Sequence, residues 1–257
     1  MSFEGKVVLI TGASSGIGAD AARHLAKLGA QVSIVGRNKE RLSQVADEIE
    51  ESGAIAPLAI AEDVTKNAQQ IVDETIEHFG QLNVLVNIAG IAVMDDTYTL
   101  KTAELNRIFD TNVTSVITMT QLCVPHLEKT KGNIVNVSSI CGSKSIPNFT
   151  SFCMSKAALD SFTKSAALDL SSKGIRVNSV NPAMIRTSIL ETMDYTAEQA
   201  KHLYDEEGKR YLIGRVGEVA DTSAAIAFLA DDNTASFLTG VLLPVDGGIS
   251  TGLLHKY

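Results

Sequence analysis

Cysteine, proline and clustered basic residues are scarce in this sequence, and each scarcity excludes a class of protein. The 257 residues include 3 cysteines, Cys123, Cys141 and Cys153, an odd number without the paired spacing of a metal site or disulfide framework. Only 5 prolines occur, and no low-complexity tract interrupts the chain, which excludes a disordered protein. The formal net charge of −8, with the basic residues scattered, argues against nucleic acid and anionic membranes as partners.

Metal-ligand patterns, targeting segments and membrane spans are missing as well. The 5 histidines lie far apart with no helical pair, so we predict no metal. The start of the chain lacks the basic stretch and apolar core of a signal peptide, and the apolar run 7–10 is too short to span a bilayer. The sequence therefore predicts a cytoplasmic protein with reduced thiols and no membrane partner.

Short β-branched runs alternate with longer segments of helical periodicity along the whole sequence. The predicted strands are 6–11, 31–36, 56–61, 82–87, 132–138, 175–180 and 240–245. The predicted helices are 17–28, 39–50, 67–79, 102–127, 151–171 and 218–229. This alternation requires right-handed crossovers and predicts an α/β doubly wound Rossmann fold, with seven parallel strands and helices on both faces. We expect residues 1–257 to form one domain.

The segment 183–215 breaks this rhythm because it contains no clear strand. It is charged and partly helical, with scattered apolar residues. A substrate lid and a solvated pair of surface helices fit this pattern equally well.

A glycine-rich turn follows the first predicted strand and runs directly into a helix. Gly12 permits a tight turn, Gly16 lets the backbone approach a pyrophosphate, and Gly18 allows close helix–strand packing. The helix start supplies free N–H groups and a positive dipole. The turn therefore predicts dinucleotide binding by the residues Gly12, Ser14, Ser15, Gly16, Ile17 and Gly18.

The residue after the second predicted strand indicates which dinucleotide is bound. Sites for NAD(H) usually place Asp or Glu there to bind the ribose 2′-hydroxyl, whereas this chain has Gly36 and Arg37. A guanidinium can pair with a 2′-phosphate, which a carboxylate would repel. We predict NADP(H) rather than NAD(H); the alternative is that Arg37 only heads a solvated helix face.

With these motifs the chain resembles the short-chain dehydrogenase/reductase family over residues 6–248. Further matching positions follow the later strands or lie in the helices between them: Asp63, Val64, Asn87, Ala89, Gly90, Asn112, Ser138, Ser139, Lys156, Asn181, Pro182, Thr187 and the closing run 245–248. The resemblance implies cofactor contacts at Asp63, Val64, Asn87, Ala89, Gly90, Lys156, Pro182 and Thr187.

The family passes a hydride between the nicotinamide and a carbonyl or alcohol carbon, and a Ser, a Tyr and a Lys serve the proton side. The resemblance assigns these roles to Ser139, position 152 and Lys156, with Asn112 anchoring a relay water. Position 152 holds Phe152, which has no hydroxyl to donate or accept a proton. We therefore expect an impaired or altered enzyme.

Two further positions depart from the family pattern: Ile88 stands where a second asparagine is usual, and Ala183 replaces a glycine. Together with Phe152 they keep a second hypothesis open, a non-catalytic protein that binds a dinucleotide or another ligand. The resemblance also implies a homotetramer or homodimer. An apolar substrate is suggested by the candidate pocket residues Met94, Ile140, Ile146, Phe149, Phe152, Met184 and Leu190, for each of which core packing is an alternative.

Overall fold

Seven parallel strands form one sheet in the computed structural model, which describes residues 1–193 and 195–252. The strands are β1 (Val7–Thr11), β2 (Gln31–Val35), β3 (Leu58–Ile60), β4 (Val84–Asn87), β5 (Asn133–Val137), β6 (Arg176–Pro182) and β7 (Leu242–Val245). Their order in the sheet is β3-β2-β1-β4-β5-β6-β7. The chain reverses direction across the sheet between β1 and β4, and ligands of such sheets bind beyond the strand ends at that point.

The helices cover both faces of this sheet. They are α1 (Gly16–Lys27), α2 (Lys39–Glu51), α3 (Ala68–Phe79), α4 (Thr102–Phe109), α5 (Ser115–Thr130), α6 (Thr150–Leu170), α7 (Ala197–Gly208), α8 (Val219–Ala230) and α9 (Asp232–Ala235). The doubly wound Rossmann fold with seven parallel strands is thus confirmed.

The two faces of the sheet bury separate apolar cores because every residue of β1 is buried and its side chains alternate between the faces. One core takes Leu25 of α1 and Ile226 of α8. The opposite core takes Ile71 of α3 and Met119 of α5. Burial on both sides fixes the strand register, which in turn fixes where each strand ends.

The predicted helix 102–127 is helical throughout in the structure, but it contains a π-helical turn that the sequence did not predict. Helix α4 ends at Phe109, a π-helical turn covers Asp110–Thr114, and α5 begins at Ser115. Hydrophobic periodicity does not reveal such a turn, because one extra residue in the helix leaves the amphipathic pattern on either side intact. The third strand is also shorter than predicted, since only Leu58–Ile60 pairs with β2.

The segment 183–215 contains helix α7 and buries a small core of its own. Leu190, Tyr204 and Tyr211 pack there with two further buried residues, Ala200 and Val216. Helix α7 begins with a capping box, in which Thr196 and Gln199 satisfy each other's backbone N–H groups. The segment is therefore a packed unit on the strand-end side of the sheet, joined to β6 and α8.

Candidate active site

The glycine-rich turn between β1 and α1 has no room for side chains at two of its glycines. Gly12 has a φ of 71°, and a Cβ there would stand 2.8 Å from the backbone nitrogen of Ala89. A Cβ on Gly18 would stand 2.2 Å from the Gly12 carbonyl oxygen. Within the described residues, no side chain caps α1 at Ser15. The turn thus offers close backbone approach and free amides at the positive end of a helix, which suits a diphosphate.

Arg37 and Asp63 lie close together at the ends of β2 and β3. Burial raises the pKa of Asp63, but two hydrogen bonds from Thr65 and the positive charge of Arg37 outweigh it, so the carboxyl pKa lies below its usual value. Ser14 faces the same corner, because a Cβ on Gly36 would stand 2.9 Å from the Ser14 Cβ. The exposed Arg37 guanidinium and the Ser14 hydroxyl therefore lie at the carboxyl end of β2.

Two residues predicted to hold the cofactor turn their side chains into the interior. Val64 packs in the core that contains Met119, and the Asn87 amide donates to Asn136 Oδ1 at 3.0 Å. The Asn87 Oδ1 atom is buried and has no hydrogen-bond partner among the described residues. The neighbouring loop is held by the Thr11 hydroxyl, which accepts a hydrogen bond from the Ala89 N–H at 3.2 Å.

Asn112 lies in the π-helical turn and is fully buried. Its Oδ1 accepts from the Ile91 N–H at 2.8 Å, and its amide donates to the Ile91 carbonyl at 2.9 Å and to Ser155 Oγ at 3.0 Å. A Cβ on Gly90 would stand 3.3 Å from Asn112 Oδ1 and 3.7 Å from Lys156 Nζ. The turn therefore places the Asn112 amide on the same side of Gly90 as the Lys156 ammonium, with both groups within 4 Å of the Cβ position.

Ser138 and Ser139 follow β5 and have different partners. Ser139 Oγ donates to the Pro182 carbonyl at 3.2 Å and accepts from the Cys141 N–H at 3.1 Å. Ser138 Oγ donates to the backbone carbonyl of Lys156 at 3.2 Å. Ser139 thus lies beside the end of β6, whereas Ser138 anchors α6.

Phe152 and Lys156 share one face of α6. The Lys156 ammonium lies 5.6 Å from the centre of the Phe152 ring and donates to the Val137 carbonyl at 2.9 Å. Burial lowers the pKa of Lys156 to about 8, although the negative charge of Asp160 opposes this shift. Phe149 meets the Phe152 ring edge to face, with centroids 6.4 Å apart. The position beside the lysine is therefore occupied by an aromatic ring without a hydroxyl.

Asp95 fixes the first turn of α6 and was not anticipated from the sequence. Its carboxylate accepts hydrogen bonds from the N–H of Ser151, at 3.0 Å, and from the Ser151 hydroxyl. A backbone bridge between Asp95 and Phe149 ties the same two loops together. A carboxylate ahead of a predicted helix is a recognisable cap signal, but this one lies 56 residues before its helix.

The segment 183–215 reaches the glycine turn through Thr187. A Cβ on Gly16 would stand 3.2 Å from Thr187 Cγ2. The Tyr204 hydroxyl of α7 donates to the Thr187 carbonyl at 2.9 Å, and the Arg186 guanidinium lies 4.9 Å from the Tyr204 ring centre. The segment therefore lies against the turn that is shaped for a diphosphate.

The apolar residues predicted to line a substrate pocket differ in their exposure to solvent. Met94 is 50% exposed and Ile146 is 40% exposed. Leu190, by contrast, is buried in the small core of 183–215, and Met184 packs against that core. Met94 and Ile146 are available to a ligand, whereas Leu190 supports the segment from inside.

The described residues contain neither a metal-ligand cluster nor a helix that could cross a membrane. Within 1–193 and 195–252, no three His, Cys, Asp or Glu side chains lie together as metal ligands. In the same part of the chain, every helix is too short or too polar to cross a membrane.

The glycine cradle at the strand ends and the Ser139–Lys156 cluster beside it define a dinucleotide-dependent oxidoreductase. A family model described as Enoyl-(Acyl carrier protein) reductase matches residues 12–250. The chain is 38% identical over 250 residues to L-xylulose reductase of Caenorhabditis elegans, covering 96% of this chain and 97% of the relative. It is 34% identical over 250 residues to meso-2,3-butanediol dehydrogenase of Serratia marcescens, covering 96% of each.

Solved structures agree with these relatives. A short-chain dehydrogenase/reductase of unknown function from Caenorhabditis elegans, solved with cofactor, superposes with a TM-score of 0.93 at 36% identity, covering 97% of this chain and 96% of that one. The aldohexose dehydrogenase of Thermoplasma acidophilum gives a TM-score of 0.87 at 29% identity, covering 99% and 98%. The chain belongs to the short-chain dehydrogenase/reductase family, a family of oxidoreductases that use a nicotinamide dinucleotide.

Proposed function

We propose that this protein is an NADP(H)-dependent oxidoreductase for an apolar carbonyl or alcohol, and that its proton transfer is impaired. The observation that carries the proposal is the Phe152 ring 5.6 Å from the Lys156 ammonium, in the position where the family places a tyrosine hydroxyl. The residues that we expect to hold the cofactor are present in the sequence, whereas the tyrosine hydroxyl is missing at position 152.

The cofactor would lie along the strand ends. The turn from Gly12 to Gly18 would take the diphosphate on backbone amides, since side chains there would fill the cradle. Arg37 would pair with a 2′-phosphate, and Lys156 would bind the nicotinamide ribose. Asp63 and Val64 would border the adenine, and the Asn87–Gly90 loop, Pro182 and Thr187 would complete the site.

A bound nicotinamide would supply a hydride to a carbonyl carbon or accept one from an alcohol carbon. Ser139 would orient the substrate oxygen by a hydrogen bond, and Asn112 would hold a relay water near Lys156. Phe152 has no hydroxyl proton to transfer. The substrate oxygen would therefore exchange its proton with Ser139 or with water. A positioned general acid contributes about 10²- to 10⁴-fold, or roughly 3 to 5 kcal/mol of barrier.

Restoring the hydroxyl tests this proposal. We expect Phe152→Tyr to raise kcat on a responsive carbonyl or alcohol substrate at least about tenfold, while the NADPH dissociation constant stays within about twofold. The control is Phe237→Tyr, the same chemical change at a fully exposed ring. If Phe152→Tyr gave no dehydrogenase or reductase activity on a broad substrate panel, the proposal would be abandoned.

A second candidate function is binding of a dinucleotide or another ligand without catalysis. Phe152 together with Ile88 and Ala183 favours it, because three departures lie around one site. Substantial NADPH-dependent turnover by the unmodified chain would refute this candidate.

The preference for NADP(H) rests on Arg37 and is tested separately by calorimetric titration with NADPH and NADH. We expect NADPH to bind at least about tenfold more tightly, since a charge-assisted hydrogen bond contributes roughly 1.5 to 3 kcal/mol. Equal or tighter binding of NADH would overturn the assignment.

The apolar substrate class is supported by the exposed side chains of Met94 and Ile146 near the start of α6. The relatives named above are a diol dehydrogenase and sugar-converting enzymes, so polar substrates are the competing class. A panel that contrasts aromatic or alicyclic ketones with sugars and vicinal diols, run on Phe152→Tyr, separates the two.

We also propose that residues 1–257 form one domain with 183–215 as its substrate lid, and that the protein is a cytoplasmic homotetramer or homodimer. Support for assembly comes from Leu168 and Phe237, which are 77% and 100% exposed in the single chain. Light scattering after size exclusion would test it, and a monomer at micromolar concentration would refute it.

A further inference from the structure

Asp160 is a buried carboxylate next to the predicted catalytic residues, and the proposed reaction does not use it directly. It is 6% exposed and lies on α6 one helical turn after Lys156 and two turns after Phe152. A carboxylate is rarely buried unless it is paired or hydrogen-bonded, because removing its charge from water is costly. Its partners therefore indicate what it does.

One partner is the Asn181 amide at the end of β6. Asn181 Nδ2 donates to both Asp160 oxygens, at 2.9 and 3.1 Å, and to the Ser139 backbone carbonyl at 3.1 Å. The Ser179 hydroxyl donates to Asn181 Oδ1 at 2.7 Å and so fixes the amide orientation. The carboxylate thereby holds the amide that fixes the Ser139 backbone.

The other partner is the Lys156 ammonium, with which the Asp160 carboxylate interacts electrostatically. Lys156 faces Asp160 on its own helix, Asn112 in the π-helical turn, Cys141 in the turn after β5 and the Val137 carbonyl of β5. Burial raises the pKa of the Cys141 thiol to about 11, so this thiol is neutral near pH 7. Of the two groups that raise the pKa of Lys156 against its burial, Asp160 therefore contributes more than Cys141.

The backbone is shaped around this carboxylate. A Cβ on Gly142 would stand 2.2 Å from Asp160 Oδ2 and 2.9 Å from the Lys156 carbonyl. The turn that carries Cys141 can approach α6 this closely only because position 142 has no side chain. The carboxylate is thus confined between α6, the turn after β5 and the end of β6.

We propose that Asp160 is a positioning residue for both halves of the proton machinery: it keeps the Lys156 ammonium charged and, through Asn181, fixes the backbone of Ser139. The roles of Ser139 and Lys156 rest on the proposed function. The effect of Asp160 on the charge of Lys156 does not, because it holds in the chain without any cofactor.

The test follows the titration of Lys156 by NMR of ¹³C-labelled lysine, with the resonance assigned by its loss in Lys156→Met. We expect Asp160→Asn to lower the titration midpoint by at least about one pH unit, since an adjacent opposite charge shifts a pKa by roughly 1 to 3 units. The matched control is Asp169→Asn, the same change at an exposed position of the same helix, and it leaves the midpoint in place. An unchanged midpoint in Asp160→Asn would overturn the proposal.

Two further measurements cover other outcomes. Asp160→Glu keeps the charge while crowding Gly142, so the midpoint stays within about half a pH unit if charge is what matters. If neither variant folds, the unmodified chain decides: a Lys156 midpoint near pH 8 supports the proposal, and one below about pH 6 shows an unsupported buried ammonium and refutes it.

Activity then connects the charge to the reaction. In the Phe152→Tyr background, we expect Asp160→Asn to lower kcat more than KM changes and to move the pH profile by the same interval as the NMR midpoint. A shifted midpoint without a shifted profile would leave the charge effect standing and count against the roles assigned to Lys156.

Discussion

The two ends of the site differ in how completely they are equipped. At the β1–α1 end, the glycine turn, Ser14 and Arg37 are the groups that we propose bind a phosphorylated dinucleotide. At the β5–α6 end, the Lys156 ammonium lies 5.6 Å from the ring centre of Phe152, which has no hydroxyl. We therefore expect that cofactor recognition and proton transfer can be changed separately, because the residues proposed for them lie at different strand ends.

The largest expected effect comes from filling the glycine cradle. Gly12→Val would place a Cβ 2.8 Å from the Ala89 nitrogen at a φ of 71°, so the turn must shift and we expect the NADPH dissociation constant to rise at least about 100-fold. Fluorescence titration measures this. Gly53→Val is the matched control, since it has a φ of 81° and no atom within 4 Å of the added Cβ. Binding within threefold of the unmodified chain would show that the turn does not hold the diphosphate.

The burial of Lys156, at the β5–α6 end of the site, can be tested through the pH dependence of the free energy of unfolding. Its pKa is about 8 in the folded chain against an ordinary 10.5, so between these values the unfolded state holds a proton that the folded state lacks. This residue therefore makes the free energy of unfolding rise with pH above about 8, by up to about 1.4 kcal/mol per pH unit. Urea unfolding at pH 8 and pH 9.5 should show a rise in the unmodified chain that exceeds that of Lys156→Met by roughly 1 to 2 kcal/mol. Identical pH dependence in the two chains contradicts the burial of a lysine with a low pKa.

A smaller effect on cofactor affinity is expected at Arg37, which we propose binds the 2′-phosphate. Arg37→Ala removes the guanidinium next to Asp63, and we expect about tenfold weaker NADPH binding with NADH binding unchanged within twofold. The control is Arg41→Ala, at an exposed arginine in the first turn of α2, and it should leave both affinities in place. Equal losses for both cofactors would mean that Arg37 acts on a part of the dinucleotide that the two share.

The smallest effect concerns the segment 183–215, in which Thr187 lies against Gly16 of the glycine turn. Tyr204→Phe removes the hydroxyl that donates to the Thr187 carbonyl, which costs about 1 kcal/mol of local stability. Hydrogen exchange in 183–193 should then accelerate about fivefold in the absence of cofactor. Tyr98→Phe, at a side chain that is 97% exposed, should leave exchange unchanged. Unaltered exchange in Tyr204→Phe would show that this bond does not hold the segment in place.

The sequence predicted the regular parts of the molecule because they follow local rules. The alternation of β-branched runs and helical periodicity predicts the positions of all seven strands. The glycine-rich turn ahead of a helix predicts the junction between β1 and α1. Asp95 and Asp160 were missed because their partners, Ser151 and Asn181, lie 56 and 21 residues away along the chain. Their pairing is a consequence of tertiary contact, which no local pattern encodes. Leu190 matched the composition of a pocket wall, but its position inside the small core of 183–215 depends on α7 packing beneath it.

The π-helical turn Asp110–Thr114 has a consequence for insertions and deletions in this part of the chain. An α-helix advances by about 100° per residue, so removing one residue between α4 and α5 would rotate one relative to the other by that angle. Met119, Cys123 and Leu127 of α5 could then stay buried only if Asn112 left its place beside Gly90. The junction Asp110–Thr114 therefore cannot change in length by even one residue. A one-residue deletion here would move the Asn112 amide away from Gly90, although α5 would still pack in the core.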